Sequence, residues 1–174
     1  MAASGITIRK AVPGDAKVLT DLFNEGLRRG FYKYNGTNLP MGRKKLNELR
    51  KRFSRRNKNN EFVFVAVDRN TGRIVGNCNF YAKEHGRERH RGEAGWGVHP
   101  DYARKGIGAL LLNAVLKEAK RRGYRKVQAE AAVINTASVR LAKGCGFKIE
   151  GRRRMGLLLD NGRYADTYVF GKVL

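Results

Sequence analysis

A chain of 174 residues with 41% hydrophobic and 30% charged side chains is long enough for one domain with a sizeable core, short for two, and too apolar for a disordered tail. Lys and Arg total 37 against 15 acidic residues, a net charge of +22, so even complete pairing leaves a field that recruits polyanions such as nucleic acid, ribosomes or phosphorylated ligands. "MAASGITIRKAV" has no continuous apolar run and "GALLLNAVL" is too short to span a bilayer. Cys78 and Cys145 form no CxxC pair and have no histidines at metal spacing, so the expectation is a reducing, cytoplasmic setting with no membrane insertion, disulfide scaffold or metal.

In chain order, "GITIRKAV" alternates as a strand, and Asp15 is placed to cap a helix carrying Val18, Leu19, Leu22 and Phe23 on one face. After the loop "YKYNGTNLP", "GRKKLNELRKRF" spaces Leu46, Leu49 and Phe53 as a helix. "EFVFVAVD", the turn "RNTG" and "RIVGNCNFYA" make a strand pair, and the basic loop "KEHGRERHRG" leads to a short strand, "EAGWGV". An amphipathic helix with Leu111, Leu112, Val115, Leu116 and Ala119 runs to Gly123. Strand "KVQAEAAV", helix "TASVRLAKG", strand "FKIEGRRRM", an Asn161-Gly162 turn and strand "RYADTYVFGKVL" complete an α/β chain with a hairpin at each end of its sheet.

Two glycines, Gly106 and Gly108, stand where the long helix begins, although glycine is a poor helix former. A helix start offers unpaired N–H groups and the positive end of a dipole, and small residues let an anion approach them. In "RKGIGA" the N–H groups of Lys105, Gly106, Ile107, Gly108 and Ala109, with the charges of Arg104 and Lys105, suit a pyrophosphate. The Rossmann fingerprint fails because Leu111 stands where its third glycine belongs, and no Walker loop occurs. Close packing of a helix start on a strand is the alternative use of these glycines.

"GVHPDYARKGIGALLL", "INTASVRLAKGCGF" and a terminal hairpin occur in order. Val98 and Pro100 end a strand, Gly106 and Gly108 follow, and Asn135 lies twelve residues before Phe147. Together they resemble the GNAT superfamily of acetyl-CoA-dependent N-acetyltransferases, nearest in pattern to the ribosomal-protein N-terminal and polyamine acetyltransferase branch. The resemblance implies one N-acetyltransferase domain over residues 1–174. Its fold would be a mixed, mostly antiparallel sheet of about seven strands, splayed between the fourth and fifth and flanked by about four helices. It also implies that the backbone of Trp96, Gly97 and Val98 bonds the pantetheine arm of acetyl-CoA, that the turn from Arg104 to Ala109 grips the pyrophosphate, and that Asn135 and Ser138 hold the other side. The family motif opens with Gln or Arg three residues before the first glycine; Ala103 occupies that position here, with Arg104 displaced by one.

Acetyl transfer needs an unprotonated amine, so a carboxylate must accept the ammonium proton directly or through water. The family frequently uses a glutamate near this strand, and Glu93 is the candidate. Alternation puts Glu93, Gly95 and Gly97 on one face, with room for an acceptor; simple pairing of Glu93 with Arg89 or Arg91 is the competing role. Backbone N–H groups of the strand would polarise the carbonyl. Many members protonate the departing thiolate with a tyrosine seven residues after the Asn, where this chain has Ala142. Ser138 is then the candidate partner of the sulfur, against a helix-start serine bonding its own backbone. Cys145 is not read as a nucleophile, and His85, His90 and His99 read as solvated surface, with His99 a lesser candidate for an auxiliary base.

The run "GRKKLNELRKRFSRRNKNN" carries nine basic residues and one acid, Glu48, and "KRRGYRK" and "GRRR" add further positive charge. One CoA cannot account for so many cations. The expected acceptor is therefore an amine on an acidic particle such as a ribosomal protein N-terminus, a nucleoprotein or aminoacyl-tRNA, and not a free polycation. A homodimer is left open. The competing class is a module that keeps the acyl-CoA fold without catalysis and binds RNA or ribosomes through its basic surface.

Overall fold

The computed structural model describes residues 5–30, 34, 40–56, 61–83 and 86–174, apart from the side chains of Arg52, Arg55 and Arg56. The end of the basic run, most of the "YKYNGTNLP" loop and His85 lie outside the described residues. The elements follow the order β1 (Ile6–Lys10), α1 (Asp15–Arg28), α2 (Arg43–Arg56), β2 (Phe62–Asp68), β3 (Ile74–Ala82), β4 (Arg91–Val98), α3 (Ile107–Arg121), β5 (Lys126–Ala132), α4 (Thr136–Gly144), β6 (Lys148–Leu158) and β7 (Tyr164–Val173).

All seven strands join one sheet in the order β1-β2-β3-β4-β5-β7-β6, and every neighbouring pair is antiparallel except β4 and β5. That parallel pair holds only through Arg91↔Lys126, Gly92↔Val127 and Glu93↔Gln128, although β4 runs on to Val98 and β5 to Ala132. Beyond Glu93 the strands part, leaving an open wedge in the middle of the sheet. The expected splay is therefore present between the fourth and fifth strands.

The apolar run of β2 is continuous because both of its faces are covered. Phe62 and Ala66 enter the larger core with Cys78, Phe80, Leu111, Leu112, Val115, Val127 and Phe170, under α3 and α4. Val63 and Val65 enter a second core with Ala16, Leu22, Phe53 and Ile74, under α1 and α2, with Leu46 and Leu49 packed against it. The expected stripe of α2 thus faces inward, leaving Arg43, Lys44, Arg50 and Lys51 exposed. On α1 the buried row is Ala16, Thr20, Leu22 and Gly26; Val18, expected on that face, is exposed because it lies a third of a turn away. Asp15 does not cap α1. It is the first helical residue, after Gly14, and its carboxylate accepts from Val12 N–H (2.9 Å) and both arms of Arg9 (2.7 and 2.9 Å).

An ionic cluster around the buried Glu118 ties β1 to α3. Glu118 accepts from Lys10 (2.8 Å), Arg121 (2.7 and 2.8 Å) and Arg122 (3.0 Å), which together hold its carboxyl well below the usual range, and the Arg122 guanidinium lies 4.6 Å from the Phe62 ring centroid. Two arginines of "KRRGYRK" therefore bind Glu118, and of the two Arg122 is nearly buried with it, its side chain 13% exposed. No helix among the described residues is long and apolar enough to cross a membrane.

Candidate active site

The wedge brings two helix N-termini to one end of the sheet. α3 follows the C-terminal end of β4 and α4 that of β5, the end at which open α/β sheets bind ligands. A cavity of about 420 Å³ fills the opening, lined by Gly95, Trp96 and Gly97 of β4, Asn77, Asn79 and Tyr81 of β3, Glu130 and Ala131 of β5, and Asn135 and Ser138 at the start of α4. Phe23 and Met41 close it from the side of α1 and α2. The Asn24 side chain both donates to Met41 C=O (3.0 Å) and accepts from its N–H (2.8 Å), pinning that wall to α1.

The turn before α3 is bent by two left-handed residues. Arg104 (φ 60°) and Gly106 (φ 79°) are both left-handed, which is ordinary for glycine and uncommon for arginine. Among the described residues, no backbone partner takes the N–H groups of Lys105, Gly106, Ile107 or Gly108, whereas Ala109 N–H donates to Gly106 C=O at 3.1 Å. The five N–H groups expected of this cradle are thus four, because Ala109 closes the first turn of the helix. Arg104, Lys105 and Gly106 are exposed, and the Lys105 ammonium sits 5.0 Å from the ring centroid of Tyr102, whose hydroxyl donates to Asp68 (2.7 Å).

The two glycines do different work. At Gly106 a Cβ meets nothing within 4 Å, so the backbone angle requires the glycine; at Gly108 it would lie 2.9 Å from Leu141 Cδ2. Gly108 lets α3 approach α4, packing against that helix and not against the strand beneath it. Asn135 caps α4: its Oδ1 accepts from Ser138 N–H at 3.2 Å, so the two residues expected to hold the ligand together are already linked.

Glu93 stands at the apex of the wedge, the last residue of β4 paired with β5, on the same face as Gly95, Gly97, Asn77 and Asn79. It does not pair with Arg91, which reaches Glu88 and Gln128; its carboxylate meets Lys83 Nζ at 2.7 Å with its side chain 52% exposed. The room expected beside Gly95 is partly taken by the Asn79 amide, 3.3 Å from where a Cβ would be. Glu130 is the carboxylate in the cavity lining, and sequence reasoning passed over it together with Asn77 and Asn79. The available signal was period two: "NCN" and "QAE" alternate polar with buried apolar positions, placing Asn77, Asn79 and Glu130 on the face left open by α1 and α2.

His99 corrects an expectation. It is 6% exposed, with Nε2 3.5 Å from Arg29 Nη1 and 3.7 Å from Glu25, and Nδ1 accepts from Asp101 N–H (3.3 Å), so it ties the end of β4 to α1 and is not solvated surface. His90 is exposed as expected. Ala142 is buried in the larger core, offering no proton at the tyrosine position. Cys145 is also buried. Burial pushes its thiol up against a smaller opposing pull from Lys172, leaving it a poor nucleophile. Among the described residues no group of three or more His, Cys, Asp or Glu is placed to hold a metal.

A mixed sheet split at its one parallel pair, with helix N-termini at the mouth of the split, is an α/β fold that offers a cleft to an extended, anionic ligand. The model of the acetyltransferase (GNAT) family matches residues 23–147, and the chain belongs to that family. It is similar to the solved GNAT-family acetyltransferase of Streptococcus pneumoniae, with 27% identity, 97% of this chain and 99% of that one covered, and a TM-score of 0.86. It also resembles a phosphinothricin acetyltransferase of Sinorhizobium meliloti solved with AcCoA (24% identity, 98% and 89% covered, TM-score 0.85) and a ribosomal-protein-alanine N-acetyltransferase of Brucella melitensis (24%, 97% and 99%, 0.83). Among curated proteins, it is 36% identical over 50 residues to a probable N-acetyltransferase 14 of Xenopus tropicalis, a stretch spanning 24% of that protein's length. Family and fold agree with the reading of the sequence.

Proposed function

We propose that this protein is an acetyl-CoA-dependent N-acetyltransferase that passes acetyl directly to a primary amine. The observation that carries the reading is the wedge: a β4 edge that no longer pairs with β5 from Ala94 to Val98, with four backbone N–H groups at its mouth that no backbone carbonyl of the described residues takes. Acetyl-CoA supplies the activated acetyl thioester. A diphosphate fits the Lys105 to Gly108 amides with Arg104 beside them, and an extended amide-bearing arm fits the free edge of Trp96, Gly97 and Val98. Asn135 and Ser138 border the arm from α4, with the Ser138 hydroxyl near the sulfur. Residues 1–174 act in this reading as one acetyltransferase domain in a cytoplasmic setting, consistent with two free, buried cysteines.

As the amine nitrogen bonds to the acetyl carbon, the carbon–sulfur bond breaks and the thiolate leaves, taking up through solvent the proton that the nitrogen sheds on becoming an amide. Backbone N–H groups of β4 receive the charge that develops on the carbonyl oxygen. Glu93, at the apex and open to solvent, takes the ammonium proton through water.

The acceptor is an amine displayed on an acidic particle: a protein N-terminus, a lysine, or an amine on a nucleoprotein or aminoacyl-tRNA. Exposed Arg43, Lys44, Arg50 and Lys51 of α2, on the acceptor side of the sheet, support this, as does the net charge of +22. The test is CoA release from acetyl-CoA with ribosomal proteins, free-N-terminus peptides and aminoacyl-tRNA as acceptors. Salt-sensitive RNA binding without any CoA release would favour the non-catalytic module instead.

A further inference from the structure

The wedge opens at one end of the β4–β5 pair; the opposite end, where both strands begin, gathers basic residues from segments far apart in the chain. The loop that leads into β4 and the corner between α3 and β5 are joined there by the backbone. Arg125 N–H (2.8 Å) and Lys126 N–H (3.3 Å) both donate to His90 C=O, just before the pair Arg91↔Lys126. The His90 ring in turn donates from Nδ1 to Arg87 C=O (3.0 Å), closing the turn that carries Arg87 and Arg89. Residues 86–91 and 117–126, which meet at this end, hold nine Lys and Arg against two acids. Both acids are taken: Glu88 by Arg91, and Glu118 by Lys10, Arg121 and Arg122, while Lys126 pairs with Glu150 of β6 at 2.7 Å. Arg87, Arg89, Lys117, Lys120 and Arg125 remain, all exposed and with no side-chain partner among the described residues.

We propose that this end of the sheet is a docking surface for the phosphate backbone of helical RNA. The inference rests on the reading of an acceptor amine carried by an acidic particle, and it separates the particle from the chemistry: RNA is held here while the amine enters the wedge. α3 measures the separation, since its 15 residues at about 1.5 Å each place the corner about 22 Å from the helix start at the mouth. RNA seated at the corner leaves the wedge open and raises the local concentration of amines on the same particle. The chemistry of the surface selects the partner. Three of the five free cations are arginines, whose forked guanidinium matches phosphate bidentately. The two apolar side chains of these segments, Ala119 and Tyr124, are buried, so the surface offers no apolar face to a lipid layer and no ring on which unpaired bases could stack. The phosphates of a duplex, met by charge and shape, fit what is left. RNA is the polyanion of the ribosome and of aminoacyl-tRNA, the acidic particles of that reading.

The test needs no acceptor. Fluorescence anisotropy of a labelled RNA hairpin with a duplex stem should show binding whose logarithm falls linearly with the logarithm of salt concentration. Arg87→Gln, Arg89→Gln and Arg125→Gln combined should weaken binding about tenfold or more at physiological salt and flatten that slope by about 2–3, at about 0.7–0.9 per phosphate contact. Lys117→Gln with Lys120→Gln, on the exposed side of α3, should weaken it severalfold and serves as the second variant if the triple one does not fold. Removing three exposed arginines elsewhere, by Arg69→Gln, Arg154→Gln and Arg163→Gln, should change affinity by less than about threefold. Equal losses in the two triple variants would make binding a property of the whole-chain field and overturn the surface. Displacement of the RNA by saturating acetyl-CoA would put it at the turn before α3 and overturn the surface as well. So would tighter binding of a DNA duplex of the same sequence, or displacement of the RNA by vesicles of phosphatidylcholine and phosphatidylserine. A wild type that binds no RNA overturns it too, and CoA release with peptide acceptors, which needs no RNA, then reports separately whether the transferase reading stands.

Discussion

Gly106 and Gly108 separate a backbone requirement from a packing requirement, and of the two alanine substitutions only the one at 108 should depend on Leu141. At position 106 an added Cβ touches nothing within 4 Å, so the whole cost of Gly106→Ala is its left-handed φ of 79°, about 1–2 kcal/mol. At position 108 the backbone is helical, and alanine gains up to about 1 kcal/mol of helix propensity. Against that gain stands a Cβ only 2.9 Å from Leu141 Cδ2. Overpacking of this kind costs about 1–3 kcal/mol, for a net loss of about 0–2 kcal/mol, at the lower end because the half-buried methyl can swing away. The cycle with Leu141→Ala isolates the contact. In that background Gly108→Ala should become neutral or stabilising by up to about 1 kcal/mol, whereas Gly106→Ala should cost the same in both backgrounds. Urea denaturation measures each value, and calorimetry with acetyl-CoA reports whether the cradle survives. If Gly108→Ala destabilises equally with and without the Leu141 side chain, helix packing is not the reason for the glycine.

Further expectations concern the core and the ligand contacts. Glu118→Gln should cost about 2–4 kcal/mol, because three cations converge on this buried carboxylate. Since its folded pKa lies below the ordinary 4.5, that stabilisation is fully present above pH 4.5 and is lost as the pH falls. Thermal melts from pH 7 down to pH 3 should therefore bring the wild type toward the variant, and parallel curves would contradict the cluster. Asn135→Ala removes the cap of α4 and should cost about 1 kcal/mol together with affinity for acetyl-CoA. Ser138→Ala leaves the capped N–H in place and should shift stability by less than about 0.5 kcal/mol, so any loss of turnover is assigned to the hydroxyl by steady-state kinetics. Cys78 and Cys145 should stay unlabelled by iodoacetamide at neutral pH and react only after unfolding, as read by mass spectrometry, because burial raises both thiols; rapid native labelling would contradict their placement.

Most strands and helices were legible because each rests on local periodicity. The bounds that moved did so for nonlocal reasons. β4 begins at Arg91, two residues before "EAGWGV", because Arg91 and Gly92 pair with β5. β6 runs past Met155 to Leu158 because the ladder shifts between Arg153 and Leu157, with Met155 at φ 50°, and pairing then resumes. The glycine turn was legible as a motif, but which glycine serves conformation and which serves packing depends on Leu141, 33 positions from Gly108 in the chain. Glu130 illustrates the limit best. A single acid alternating with alanines reads as the solvent face of a strand, and only the parting of β4 from β5 turns that face into the wall of a cavity.

The most direct test of the account is calorimetric titration of the purified protein with acetyl-CoA. The account predicts one site of micromolar affinity, weakened by Gly106→Val at the cradle. Absence of binding at low salt, where every electrostatic contribution is strongest, would contradict it.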